Sequence, residues 1–283
     1  MVRIPVIQKR LRWLSLEIES WIVRATKGAK KGHYSNFGEQ KIIDKYVKSL
    51  NIAEQSKTVV DIGAGNGIRN SNTFGLLEKG WNVLGIDRGS RNAESLTKLY
   101  RTFNAGIACH ANITPSNVVG LLRSHSIEKD FGVLSLDIDG YDYWVLDAVL
   151  SAFRPRLIVS EYNEKIPPPV RFTVNYSSEF TLRHHFFGYS ICQLKDLLAK
   201  HNYVLLEIEF NNVFLAPAEI KGVVAADVER AYRDGYAARP DRREKFKTNE
   251  NMEILHNLSP AECVDFLNAF YADHVGEYQI GLE

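Results

Sequence analysis

Ile7, Leu11, Leu14, Ile18, Trp21 and Ile22 recur three and four residues apart, which predicts an amphipathic helix over residues 6–24. Gly28, Gly32 and Gly38 interrupt that period. Ile42, Ile43, Tyr46 and Val47 then restart it in a second helix from about Glu39 to Leu50. From Thr58 the pattern changes to short apolar runs separated by amphipathic stretches. The runs Thr58–Ile62, Trp81–Ile86, Gly106–Cys109, Phe131–Asp137, Leu157–Glu161, Tyr203–Glu209 and Val213–Ala216 read as strands. Helices are expected over 70–79, 90–103, 115–125, 141–152 and 190–201, with Thr114-Pro115 as cap and first turn of the third. Asn211 and Asn212 join the last two strands as a hairpin. Such alternation predicts an α/β fold, a doubly wound and mostly parallel sheet of seven strands ending in an antiparallel hairpin.

Two segments break the rhythm. Residues 162–189 carry Pro167, Pro168 and Pro169, which lack backbone donors, so an inserted loop without strand or helix is expected there. Loops above the carboxyl edge of a parallel sheet usually hold substrate contacts. Residues 218–283 read as a helical tail, in which Ser259-Pro260-Ala261-Glu262 is a capping box. It should open a helix with Cys263, Phe266, Leu267 and Phe270 facing inward. The plan is therefore a basic helical segment over 1–34, an α/β domain over 35–217, and a helical accessory over 218–283.

Composition changes this picture little. With 283 residues, 45% hydrophobic and 24% charged, the chain is an ordinary globular one, and disorder is excluded. Net charge is +1, but residues 1–31 carry eight basic and two acidic side chains, leaving the remainder with 27 basic and 32 acidic. A net acidic body argues against nucleic acid as partner. No uncharged apolar run approaches the ~20 residues that span a bilayer, and Arg10, Arg12, Glu17 and Glu19 break any signal-peptide core. Cys109, Cys192 and Cys263 have no paired spacing, which fits free thiols. A cytoplasmic location is expected. The basic N-terminal helix packs on its own domain or a second subunit in a homo-oligomer, or else lies on an anionic membrane surface.

The chemistry concentrates in Asp61-Ile62-Gly63-Ala64-Gly65-Asn66-Gly67, a buried strand running into a glycine-rich turn. Glycines allow a sharp bend and close approach to a ligand, with amide hydrogens and the next helix start facing it. A dinucleotide fingerprint would place its third glycine three residues after the second, whereas here the interval is two. Twenty residues after Gly67, the strand Trp81–Ile86 ends at Asp87, and a carboxylate there suits the vicinal hydroxyls of a ribose.

The Asp-x-Gly-x-Gly-x-Gly pattern resembles the first motif of class I S-adenosylmethionine-dependent methyltransferases, whose domain is Rossmann-like. That resemblance implies that Gly63, Ala64, Gly65 and Gly67 hold the methionine part of the cofactor. It also implies that Asp61 reaches the cofactor's amino group through hydrogen bonds, that Asp87 and Arg88 border the ribose, and that Asn112 meets the adenine. Ser35-Asn36-Phe37-Gly38-Glu39-Gln40 and Leu134-Ser135-Leu136-Asp137-Ile138-Asp139-Gly140 narrow the likeness to FkbM-like methyltransferases over about residues 35–216. The implied reaction is O-methylation of a sugar, glycan precursor or secondary metabolite, so the partner is a small-molecule or glycan acceptor. N-methylation of an amino sugar or small amine, and a non-catalytic S-adenosylmethionine-binding scaffold, are the alternatives.

Asp137 and Asp139 share a face at the end of the fourth strand, while Glu161 and Asn163 end the next. Four such oxygen ligands suit Mg²⁺, which would lower the pKa of a substrate hydroxyl. In the metal-free alternative, Asp137 contacts the cofactor and Asp139 makes a turn bond before Gly140. His184 or His185, in the insert, is the candidate general base, and ordinary loop histidines are the alternative. Tyr141, Tyr143 and Trp144 either wall the site or, for the last two, pack the helix.

Overall fold

Val59, Val60 and Ile62 are wholly buried in β1 (Thr58–Ile62), an apolar run interrupted only by Asp61, as suits a strand covered on both faces. In this computed structural model, residues 34–283 are described. The basic helix expected over 6–24, and with it the membrane and subunit contacts assigned to residues 1–31, lies outside them. β2 (Asn82–Asp87), β3 (Ile107–His110), β4 (Val133–Leu136), β5 (Leu157–Glu161), β7 (Tyr203–Glu209) and β8 (Asn212–Pro217) complete a seven-stranded sheet. Its order is β3-β2-β1-β4-β5-β8-β7, with β1, β2 and β3 parallel and β8 antiparallel to both its neighbours. This is the Rossmann-like, mostly parallel sheet with a terminal hairpin that the alternation predicts. The helices at Glu39–Ser49, Ser90–Phe103, Asp142–Leu150 and Ile191–His201 fall within a residue or two of their expected bounds.

The chain forms two compact units. The first comprises the described residues up to Ile113 together with Phe131–Ser135, and the second comprises Thr114–Asp130 and Leu136–Glu283. In the first, the helix Ser90–Phe103 lays Ala93, Leu96, Leu99 and Tyr100 inward, a strongly amphipathic arrangement. In the second, Ser190 caps the helix Ile191–His201 by accepting from Gln193 N, and its hydroxyl also donates to Val170 O.

Three expectations are corrected. The insert is not strandless: β6 (Val170–Val174) leaves the Pro167–Pro169 run and pairs antiparallel with β9 (Tyr278–Leu282). The tail is accordingly not all helical. It combines short helices over Val228–Tyr232, Arg242–Lys245 and Pro260–Phe270 with a π turn, 3₁₀ segments and β9. The Ser259–Glu262 capping box forms, but of the four apolar residues expected inward, Cys263 and Leu267 are buried and Phe270 is 39% exposed. Finally, the helix expected from 115 runs from Val118, although the expected cap forms, with Thr114 Oγ1 accepting from Asn117 N and Thr114 O from Val118 N.

Candidate functional site

β1 delivers Asp61 and then the glycine turn. Gly63, Gly65 and Gly67 all hold positive φ (86°, 56° and 80°), the left-handed region where a side chain is strained. The two inner glycines have different surroundings. A Cβ on Gly67 would stand 2.7 Å from the Cδ2 atoms of both Leu96 and Leu99, so this glycine lets the helix Ser90–Phe103 close on the turn. A Cβ on Gly65 would meet nothing within 4 Å, so the chain bends there beside open space.

The amides expected to face a ligand are occupied. Gly63 N and Ala64 N both donate to Ile86 O at 2.9 and 3.0 Å, and Gly67 N donates to Ala64 O. Gly65 N donates to Asp87 Oδ2 at 2.9 Å. No helix begins at the turn either. The next one, Phe74–Glu78, starts seven residues after Gly67, following an Asx turn in which Asn66 Oδ1 accepts from Ile68 N and Arg69 N.

Asp87 is buried at the end of β2 and ties the turn together. Besides Gly65 N, its carboxylate accepts from Gly89 N at 2.7 Å and Asn92 Nδ2 at 3.1 Å, both on Oδ1. Two oxygens accept about four hydrogen bonds, so three protein donors leave room for one more on Oδ2. Asp61 is likewise buried and accepts from Thr73 Oγ1 at 2.6 Å and from the Ser135 hydroxyl. Burial pushes its carboxyl up to about 6 despite those donors, and the nearby Asp87 charge adds to the rise. Beyond β3, Ala111 N donates to Asp87 O, which fixes the backbone beside exposed Asn112, and His110 Nε2 donates to the carbonyl of exposed Arg88.

In the second unit, Asp137, Asp139 and Glu161 each offer a carboxylate oxygen, and these oxygens lie within 4.8 Å of one another. A residue that sequence reasoning missed builds this cluster. Asp142, 1% exposed, accepts from Ile138 N at 2.8 Å and Gly140 N at 2.9 Å, holding the loop in which Asp139 adopts φ 54°. Its signal was an acid in the first helical turn, two residues past a glycine. Burial raises the Asp142 carboxyl to about 6 against the pull of those two amides. Glu161 closes β5. Its Oε1 accepts from Asn211 Nδ2 at 2.7 Å, while its Oε2 is buried with no hydrogen-bond partner. Burial first, and then the charges of Asp137, Asp139, Asp142 and Glu164, hold its carboxyl well above the usual range.

The remaining candidates have other occupations. Asn163 is fully buried, and its Nδ2 donates to the carbonyls of His185 and Phe187, which braces the loop before Tyr189, while its Oδ1, the atom expected to meet a cation, is buried with no hydrogen-bond partner. His185 is buried, with Nε2 2.9 Å from Asn251 Oδ1 and its ring 5.9 Å from that of Phe270. Desolvation lowers its pKa, and Asn251 and Phe270 hold the ring in place. His184 is exposed at φ 44°. Tyr143 OH accepts from Gln193 Nε2 and Trp144 Nε1 donates to Val174 O, so both pack the helix.

No protein-family model matches this chain, and no curated protein matches it. Among solved structures, it is similar to a Klebsiella pneumoniae protein classed as an O-methyltransferase (13% identity, 74% of this chain and 89% of that one, TM-score 0.45). It is also similar to an O-methyltransferase from Bacillus cereus in complex with S-adenosylhomocysteine (15% identity, 70% and 88%, TM-score 0.44). A third, an S-adenosylmethionine-dependent methyltransferase from Clostridium acetobutylicum, matches at 11% identity over 72% and 98%, with TM-score 0.42. At such identities and scores, what those proteins bind stays with them.

Proposed function

We propose that the chain is an S-adenosylmethionine-dependent methyltransferase that acts on a hydroxyl of a sugar, glycan precursor or secondary metabolite. The observation that carries this is the glycine turn: three left-handed glycines, locked from below by Asp87, with space left open at Gly65. Gly65 is where a cofactor's methionine portion would rest on bare backbone. Asp87 Oδ2 keeps one lone pair for a ribose hydroxyl. Asp61, neutral below about pH 6 and anionic above it, accepts from an ammonium group directly or through water. Bound cofactor supplies an electrophilic methyl group on a sulfonium, so the protein's tasks are binding and orientation.

Asp137, Asp139 and Glu161 fit Mg²⁺ as hard oxygen donors, and the buried Glu161 Oε2 without a partner is the observation in favour. When bound, that ion supplies Lewis acidity to an alcohol oxygen. The carboxylates of Asp137 and Asp139 orient the hydroxyl and hold its departing proton, while Asp142 keeps their loop in place.

Calorimetric titration with S-adenosylmethionine and S-adenosylhomocysteine, with and without Mg²⁺, tests the reading, followed by labelled methyl transfer to glycosides and phenols. Micromolar binding with methyl incorporation is expected. Absence of binding for both nucleosides would end the proposal.

A further inference from the structure

Within the second unit, a cavity of about 390 Å³ opens between the loop after β6 and the segment leading into β9. That is the size of small-molecule sites. Its walls are aromatic. Tyr176 meets the Tyr141 ring edge-on at 4.9 Å, Phe180 meets the same ring at 5.9 Å, and Phe186 lies flat against His274 at 4.0 Å. Its polar lining has both signs. Glu179, Arg183 and Asp273 are exposed, and none of their side chains makes a hydrogen bond or ion pair with another described residue. His274 and Glu277, by contrast, satisfy each other at 2.8 Å.

This lining selects a ligand chemistry. An anion would face Glu179 and Asp273, and a cation would face Arg183. A neutral polyol satisfies all three, since the carboxylates accept from neighbouring hydroxyls and the guanidinium donates to hydroxyl or ring oxygens. Its C–H face would cover Tyr176 or Phe180, where a plain phenol would leave the charged groups to water.

The cavity is also pinned to the acidic cluster's own loop. A Cβ on Gly140, the residue after Asp139, would stand 3.1 Å from the Phe180 ring, and Gly140 O accepts from Gly188 N. We propose that this cavity is the acceptor subsite and that it takes a neutral sugar ring, with the C-terminal segment, outside the resembling region, supplying one wall. The inference rests on the methyltransferase reading for the word acceptor, but the binding of a sugar ring can be measured by itself.

Saturation-transfer NMR on the full chain, with neutral methyl glycosides, a glucuronide, glucosamine and catechol as probes, tests it. Neutral glycosides should receive saturation on the protons of one ring face. The signal should fall at least tenfold in Tyr176→Ala, and likewise in Arg183→Gln, an exposed position whose loss leaves the unfolding midpoint in place. S-adenosylhomocysteine affinity, measured in parallel, should be unchanged in both variants. Preference for catechol, glucuronide or glucosamine, or glycoside signals that survive both substitutions, would overturn the subsite. Glycoside binding without any nucleoside binding would keep the subsite and remove the methyltransferase reading instead.

Discussion

Gly65→Ala and Gly67→Ala perturb neighbouring positions of one turn, and the structure separates their consequences. Each places a Cβ on a residue held at positive φ, which costs about 1–2 kcal/mol. At Gly65 that is the whole stability cost, because the new methyl meets nothing within 4 Å. At Gly67 the methyl arrives 2.7 Å from two leucine Cδ2 atoms that are themselves buried in the helix Ser90–Phe103. Forcing those side chains or the backbone aside adds roughly 1–3 kcal/mol. Denaturant unfolding should therefore rank Gly67→Ala below Gly65→Ala by that amount, with the m-value unchanged. Binding should rank the other way for each kcal/mol lost. The Gly65 methyl occupies the opening assigned to the cofactor, so calorimetry should show S-adenosylhomocysteine affinity down by at least a hundredfold in a protein that is only mildly destabilised. In Gly67→Ala, affinity among folded molecules should fall less. Equal destabilisation by the two substitutions, or unimpaired nucleoside binding by Gly65→Ala, would refute the assignment of open space to the ligand.

Other perturbations test the acids. Asp87→Asn places an amide opposite Gly65 N and Gly89 N, so one donor loses its acceptor. A loss of about 1–3 kcal/mol in unfolding free energy and a tenfold or greater loss of nucleoside affinity are expected. Folded Asp61 keeps its proton up to about pH 6, whereas in the unfolded chain it ionises near 4, so the folded state binds more protons between those values and its stability falls as pH rises. Asp61→Asn should therefore gain about 3 kcal/mol on the native protein between pH 4 and 7, read from paired denaturation curves; parallel pH profiles would contradict this. Glu161→Gln relieves repulsion among crowded carboxylates yet removes a cation ligand. It should raise the thermal midpoint without Mg²⁺ and abolish the midpoint increase that Mg²⁺ produces in the native protein. Ending the chain at Asp273 deletes β9 and uncovers the inner face of β6, so methyl transfer to the acceptor should drop while nucleoside affinity persists.

Which of these features the sequence makes legible follows from the range of the forces involved. β1 and β5 are readable to the residue because burial on both faces demands adjacent apolar residues, Val59-Val60 in one and Leu157-Ile158-Val159 in the other, and that demand is local. β6 is not readable, since Val170–Val174 is stabilised by Tyr278–Leu282, more than a hundred residues onward, while the prolines immediately before it argue against any strand. The same divide runs through the site. Spacing places Asp61 and Asp87 at strand ends and Asp137 and Asp139 just past one, but not the donors that Asp61 and Asp87 have already accepted.

Asp87 illustrates the consequence. As a letter it invites two ribose hydroxyls; in the fold it holds Gly65, Gly89 and Asn92, and at most one hydroxyl finds a lone pair on it. Asp142 shows the converse, an acid with no apparent chemistry that fixes the loop bearing Asp139 through two amides. Carboxylates satisfied by backbone amides shape the site, whereas an oxygen left buried and unpartnered, as at Glu161 Oε2, is the one with capacity to meet something the chain does not itself provide. For that reason the loss expected from Asp142→Asn lies in the placement of Asp139, and the loss expected from Glu161→Gln lies in the ligand. A metal titration on the two variants separates these roles: weakened binding that retains a Mg²⁺ response in the first, and no response in the second.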